Sequence, residues 1–265
     1  MAETDESIRK IVNSSGFPFQ LWIAKQIEQT SEHHSWKVVG LEFRWFDKRK
    51  QKEEFIDVVL EDQNDVFRAV IEAKRVRNGT WIFLQPLNFE EKTRSFRYMW
   101  IDASREKIGW HDGYFEKELP VSSFCIIRSQ AQNQPMLERV ASYVLAATES
   151  VGERELLLHE TKYQHIYLPI IVTTAKLLLY SFDPANVDPI TGTPENGLFS
   201  EVPYLVFRKG FDTTYETSKM PSNLTELNSE DERTVLVVNS LHLKELLIHI
   251  NAFKLINRYE SFPWE

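Results

Sequence analysis

Cysteine is nearly absent: Cys125 is the only one in 265 residues. A single thiol forms no disulfide within the chain and argues against a cysteine-built zinc site. The seven histidines show no ligand spacing beyond chance. Glycine is scarce, with 9 residues, and no Walker loop, Gly-x-Gly-x-x-Gly or Gly-x-Ser-x-Gly pattern occurs. That removes the usual signatures of NTPases, dinucleotide enzymes and Ser hydrolases. No apolar run approaches the roughly 18 residues a membrane-spanning helix needs, so no membrane partner is expected. The opening Met-Ala-Glu-Thr-Asp-Glu-Ser lacks the basic-then-apolar build of a signal peptide, and with the cysteine usage this makes the cytoplasm the default location. Positive charge is not in excess. A net charge of −8 argues against a protein that coats nucleic acid, but it allows a local acidic cluster beside a local basic face.

What the chain does have is an organising stretch from Glu54 to Arg77. Apolar residues fill 55–60 and 66–71, with Glu61-Asp62-Gln63-Asn64-Asp65 between them, which reads as two strands and a tight turn. Asn64-Asp65 suits a two-residue hairpin loop, since both residue types tolerate positive φ. Asp57 and Glu72 then stand equally far from the loop and directly opposite each other, with Cβ atoms roughly 4.5–5.5 Å apart. Lys74 lies two residues beyond Glu72 and points to the same face. Two adjacent carboxylates repel unless a cation or proton neutralises them. A Mg2+ (or Mn2+) site beside a catalytic lysine is the economical reading. A solvated, salt-bridged hairpin face is the alternative.

Residues 17–33 read as the first helix, with Phe19, Trp22, Ile23 and Ile27 at the spacing of a buried stripe. Of its polar residues Gln20 borders the apolar arc and Glu28 lies opposite its centre, so of these two Gln20 can reach the sheet. Trp36 to Trp45 alternates as a strand, with Val39, Leu41, Phe43 and Trp45 facing one way and Gly40, Glu42 and Arg44 the other. Residues 47–54 form a charged turn.

Ile56-Asp57, followed after a hairpin by Glu72-Ala73-Lys74, resembles the PD-(D/E)xK pattern of restriction-endonuclease-like nucleases, with Ile56 in the place of the family's proline. Gly16-Phe17-Pro18-Phe19-Gln20 is similar to the Gly-aromatic-Pro-Leu-Glu opening of some nuclease-like proteins, with Gln for Glu. The resemblance covers roughly residues 16–75. It implies an α/β fold with a restriction-endonuclease-like core: helix, three antiparallel strands, helix, further strands. It also implies Mg2+-dependent hydrolysis of DNA, with Asp57, Glu72 and the Ala73 carbonyl holding the metal. Lys74 would orient the attacking water or stabilise charge at phosphorus, and Gln20 would hold a water or a ligand. A role in bacterial or phage defence suits a stand-alone nuclease of this type. A non-catalytic module that binds nucleic acid or protein, and an RNA-processing nuclease, are the alternatives; a homodimer or a partner protein is compatible with each.

Beyond Lys74, basic residues interleave with aromatics over about 76–120. Such a mixture can hold a phosphate backbone and stack bases, which makes Arg75, Arg77, Arg94 and Arg97 candidate nucleic-acid contacts. Edge strands packed on a core would look the same. Further on, Phe124–Ile127 reads as a strand and Pro135 opens a helix carrying Leu137, Val140, Ala141, Val144 and Leu145. Tyr167–Val172, Lys176–Ser181, Pro203–Arg208 and Thr234–Val238 read as strands, 183–201 as a loop, and about 240–253 as a closing helix. These strands are expected to extend one sheet in a single domain with an elaborated C-terminal half.

Overall fold

The computed structural model describes residues 5–77, 79–87, 96–127, 136–158, 164–211, 222–224, 231–250 and 253–255. The chain is a mixed α/β fold with four α-helices among those residues. It opens with α1 (Asp5–Ser14), a helix not expected from the sequence, none of whose residues is buried. Gly16, at φ 90°, then turns the backbone through the left-handed region that glycine enters freely. Its carbonyl accepts the first hydrogen bonds of α2 (Phe17–Thr30), from Phe19 and Gln20. Phe19, Ile23, Ala24 and Ile27 of α2 are buried, whereas Trp22, expected in that stripe, is 37% exposed and stacks on Phe19.

Strands β1 (Trp36–Asp47), β2 (Lys52–Asp62) and β3 (Phe67–Lys74) form an antiparallel meander. In β1 the expected alternation fails. The register slips between Val38 and Gly40, and Glu42 sits at φ 47°. The bulge and this left-handed residue break the alternation, so Phe43 and Trp45 pack on the α3 core while Val39 and Leu41, expected on the same side, are exposed. The β2–β3 loop is also longer than two residues: the turn spans residues 63–66, and the Asp62 carboxylate accepts the N–H groups of Asn64, Val66 and Phe67. Because the extra residues are added symmetrically, the pairing Val58↔Ile71 is the one a two-residue loop would impose.

After β4 (Thr80–Pro86), β5 (Phe96–Asp102), β6 (Lys107–Phe115), β7 (Val121–Ser122) and β8 (Phe124–Ile127), the long helix α3 (Met136–Leu158) leads into β9 (Gln164–Thr173). Strand β9 lies parallel to β3 along its length and is buried almost throughout, as expected of a central strand covered on both faces. The remaining elements are β10 (Lys176–Phe182), β11 (Leu198–Glu201), β12 (Tyr204–Gly210), β13 (Glu232–Asn239), α4 (Leu243–Ile250) and β14 (Phe253–Leu255).

These strands do not extend one sheet. A ten-stranded sheet runs β1-β2-β3-β9-β13-β12-β7 with β5, β6 and β14 branching from it, and a separate sheet runs β11-β10-β4-β8. The division arises where β3 and β9, parallel neighbours, both continue into β4 and β10, which are again parallel neighbours. The large sheet separates two cores. Helices α2 and α4 pack with Val58, Leu60, Ala69 and Ile71 on one face. Helix α3 packs with Ile56, Val59 and Val70 on the other, together with Trp81, Phe83, Leu177 and Leu179 of the small sheet. The aromatic-rich segment after Lys74 therefore behaves as packed strands: Trp81, Phe83, Phe96 and Tyr98 are buried and offer no surface for stacking bases. Among the described residues no helix is long and apolar enough to cross a membrane.

Candidate functional site

The β2–β3 ladder stops at Val58↔Ile71. One step further, where register would set Asp57 against Glu72, the Asp57 side chain replaces the backbone bond: its Oδ2 accepts the Ala73 N–H at 2.6 Å. The faces exchange at this point, since Ile56 belongs to the α3 core while Val58 belongs to the α2 core. Asp57 thus lies in the seam between two splaying strands. Its other oxygen accepts a hydrogen bond from Gln20 Nε2 on α2. Glu28, the competing candidate, is exposed and pairs with Lys25 at 3.1 Å.

Glu72 is largely buried. Its Oε1 lies 3.9 Å from Lys74 Nζ, and its Oε2 is fully buried with no hydrogen-bond partner. A buried carboxylate oxygen without a donor carries a desolvation penalty that a bound cation or a proton relieves. Burial pushes the Asp57 carboxyl up to about 6; Glu42 adds repulsion, while the Ala73 N–H, Lys74 and Gln20 pull in the other direction. Burial and the charge of Asp57 push Glu72 up to about 8, with Lys74 offsetting and Glu42 and Glu54 adding to the rise. Ionising both carboxyls would therefore place more negative charge in the seam than its surroundings neutralise, and a proton is held there instead.

Comparison with protein-family models, curated proteins and solved structures finds no match. The site must be judged on its own donors. Among the described residues, no three His, Cys, Asp or Glu side chains group closely enough to enclose a metal ion. The donor set on offer is the Asp57 and Glu72 carboxylates with backbone beside them, and its hard oxygens suit Mg2+ or Mn2+. The unpartnered Glu72 oxygen fits such an ion.

The other expected residues separate. Arg75 and Arg77 continue directly from Lys74 and line an open groove. Arg97 instead belongs to the framework, donating to Asp112 and to the Glu232 carbonyl. Arg94 lies outside the described residues. Glu42, which faces Asp57 across the meander and acts on both carboxyls, was not singled out by pattern. Only the bulge in β1 gives it that position, and alternation carries no trace of it.

Proposed function

We propose that the chain is a divalent-metal-dependent nuclease that hydrolyses phosphodiester bonds of DNA. The observation that carries this reading is the unpartnered, buried Oε2 of Glu72 next to Asp57, where the β2–β3 ladder opens with a lysine beside it. The opening order of a helix and three antiparallel strands supports it, being the start of the arrangement the PD-(D/E)xK resemblance implies, although five further strands precede the next helix, α3.

Asp57, Glu72 and the Ala73 carbonyl would hold Mg2+ or Mn2+. A bound ion of this kind polarises the scissile phosphate and lowers the pKa of an attacking water. Lys74 places a positive charge where an oxyanion develops at phosphorus. Gln20, through its hydrogen bond to Asp57, fixes the orientation of that carboxylate.

The test is incubation of the purified chain with plasmid DNA and with single-stranded RNA in Mg2+, Mn2+ or EDTA. Cleavage of DNA that requires metal and is lost in Asp57→Ala is the expected result. Preferential cleavage of RNA would move the substrate class. Tight binding with no cleavage in either metal would replace the enzyme by a binding module.

A further inference from the structure

Beyond the carboxyl ends of β3 and β9 lies an open groove of about 680 Å3, lined by Arg75, Val76, Arg77, Gly79, Thr80, Thr174 and Lys176. Crevices at the carboxyl ends of parallel strands are the usual ligand sites of α/β sheets. This one is firmly built. The Thr174 hydroxyl accepts the Val76 N–H at 2.8 Å and donates to the Val76 carbonyl at 2.9 Å. The Thr174 N–H reaches the Lys74 carbonyl, and the Lys176 N–H reaches that of Gly79. At buried Gly79 a Cβ would meet Val76 Cγ1 at 2.1 Å, so a larger residue there would have to displace the Val76 side chain.

The charge of the groove is as distinctive as its build. Among the described residues no acidic side chain lines it. Lys176 is held by Glu201 at 2.7 Å, but Arg75 and Arg77 have no ion pair or hydrogen bond among the described residues. Elsewhere the guanidinium groups of Arg44, Arg68, Arg97 and Arg105 all meet carboxylates. Two unmatched guanidiniums on a rigid, open wall suit oxyanions that can accept forked hydrogen bonds. An open groove also suits a chain passing through it rather than a small molecule enclosed in it.

We propose that this groove binds the phosphodiester backbone of the substrate strand, at a phosphate flanking the one presented to Glu72 and Lys74. The proposal rests on the nuclease reading and adds the part of the substrate that Arg75 and Arg77 grip.

The test is a titration of a fluorescein-labelled DNA duplex in EDTA across a salt series, with a single-stranded RNA in a second arm. The double variant Arg75→Gln/Arg77→Gln is expected to bind the duplex roughly ten- to a hundredfold more weakly, with a log K against log salt slope shallower by about 2. Its melting temperature should be unchanged. The control Lys25→Gln/Arg44→Gln removes the same charge from residues that do not line the groove and should bind as wild type. An unchanged slope in the groove variant overturns the proposal, as does an equal loss in the control. Inorganic phosphate that raises the melting temperature of wild type but not of the variant, with duplex binding intact, would make the groove a small-anion site and overturn it too. If RNA alone shows the loss, the strand gripped is RNA and the DNA assignment is overturned. A wild type that binds with the full slope yet never cuts removes the nuclease reading and leaves the groove. A groove variant that binds and cuts like wild type removes the groove and leaves the nuclease.

Discussion

At its closed end the β2–β3 hairpin gathers Glu61, Asp65 and, from α3, Glu155 around Arg68 and the β9 residue His165. At its open end it gathers Asp57 and Glu72 beside Lys74. The two ends share strands and residue types but differ in balance. Arg68, almost fully buried, lies 3.0 Å from Glu155 and 2.5 Å from Asp65, and His165 lies 2.9 Å from Glu155. Burial works to raise the Glu155 carboxyl, yet the His165 hydrogen bond and the Arg68 charge outweigh it and hold the group below its ordinary value. At the open end burial outweighs the Ala73 and Gln20 hydrogen bonds and the Lys74 charge, and both carboxyls rise. A buried carboxylate matched by cations anchors the fold. The same group with less compensation takes up a proton in the folded chain, and on the proposed reading a bound cation would replace it.

The largest expected effect separates the two ends by activity. Lys74→Ala and Asp57→Ala should each lose cleavage by a hundred- to a thousandfold or more, roughly the loss seen when one stabilising group is removed from a transition state. Circular dichroism should not change. Arg68→Ala should cleave normally per folded molecule, and an equal loss there would erase the distinction. Stability should divide the other way. Removing the buried Arg68 leaves the part-buried Glu155 without its cation and should lower unfolding free energy in urea by about 1–3 kcal/mol. Lys74→Met should stay within about 0.5 kcal/mol.

The pH dependence should run in opposite directions. Folded Glu72 keeps its proton up to about pH 8, against an ordinary value of 4.5. The folded state therefore binds more protons between those limits, and metal-free stability should fall as pH rises through them. Glu155, held below its ordinary value of 4.5, should contribute stability that is lost as pH falls below that region. Melting curves in EDTA check both: Glu72→Gln should flatten the alkaline side and Glu155→Gln the acid side. Asp57→Asn should melt higher than wild type in EDTA, because Oδ1 can keep the Ala73 N–H while the repulsion disappears. Mg2+ should raise the wild type and leave the variant nearly unmoved. The smallest effect is on α2, where Gln20→Ala should slow cleavage several-fold more than Glu28→Ala, in line with loss of a neutral hydrogen bond. Equal rates would mean that Gln20 does not orient Asp57.

Much of the organising hairpin was legible. The β2–β3 register, Val58 with Ile71, follows from the spacing about its loop and was preserved because the extra loop residues are symmetric, but the ladder ends there, one step short of Asp57 and Glu72. Gln20 over Glu28 followed from helix phase alone, because the angle around an α-helix is set by sequence distance. The β1 alternation misled because a bulge and one left-handed residue break it. Gly40, a lone glycine inside a strand pattern, is a sequence signal of the bulge that alternation overrode, whereas Glu42 gives none. The interleaved basic and aromatic stretch misled differently, since side chains that can stack on bases are also those that fill a core.

Sequence by itself determined the local geometry that depends on periodicity: helix phase, hairpin register and the apolar faces of α2, α3, β3 and β9. Only the tertiary structure decided which charges go unmatched. The Glu72 Oε2 has no hydrogen-bond partner among the described residues, Glu155 is paired, and Arg75 and Arg77 face a groove instead of a carboxylate because of where β9, β10 and α3 dock. Those contacts join residues far apart in the chain, and a local repeat carries no record of which distant side chain arrives to neutralise a charge.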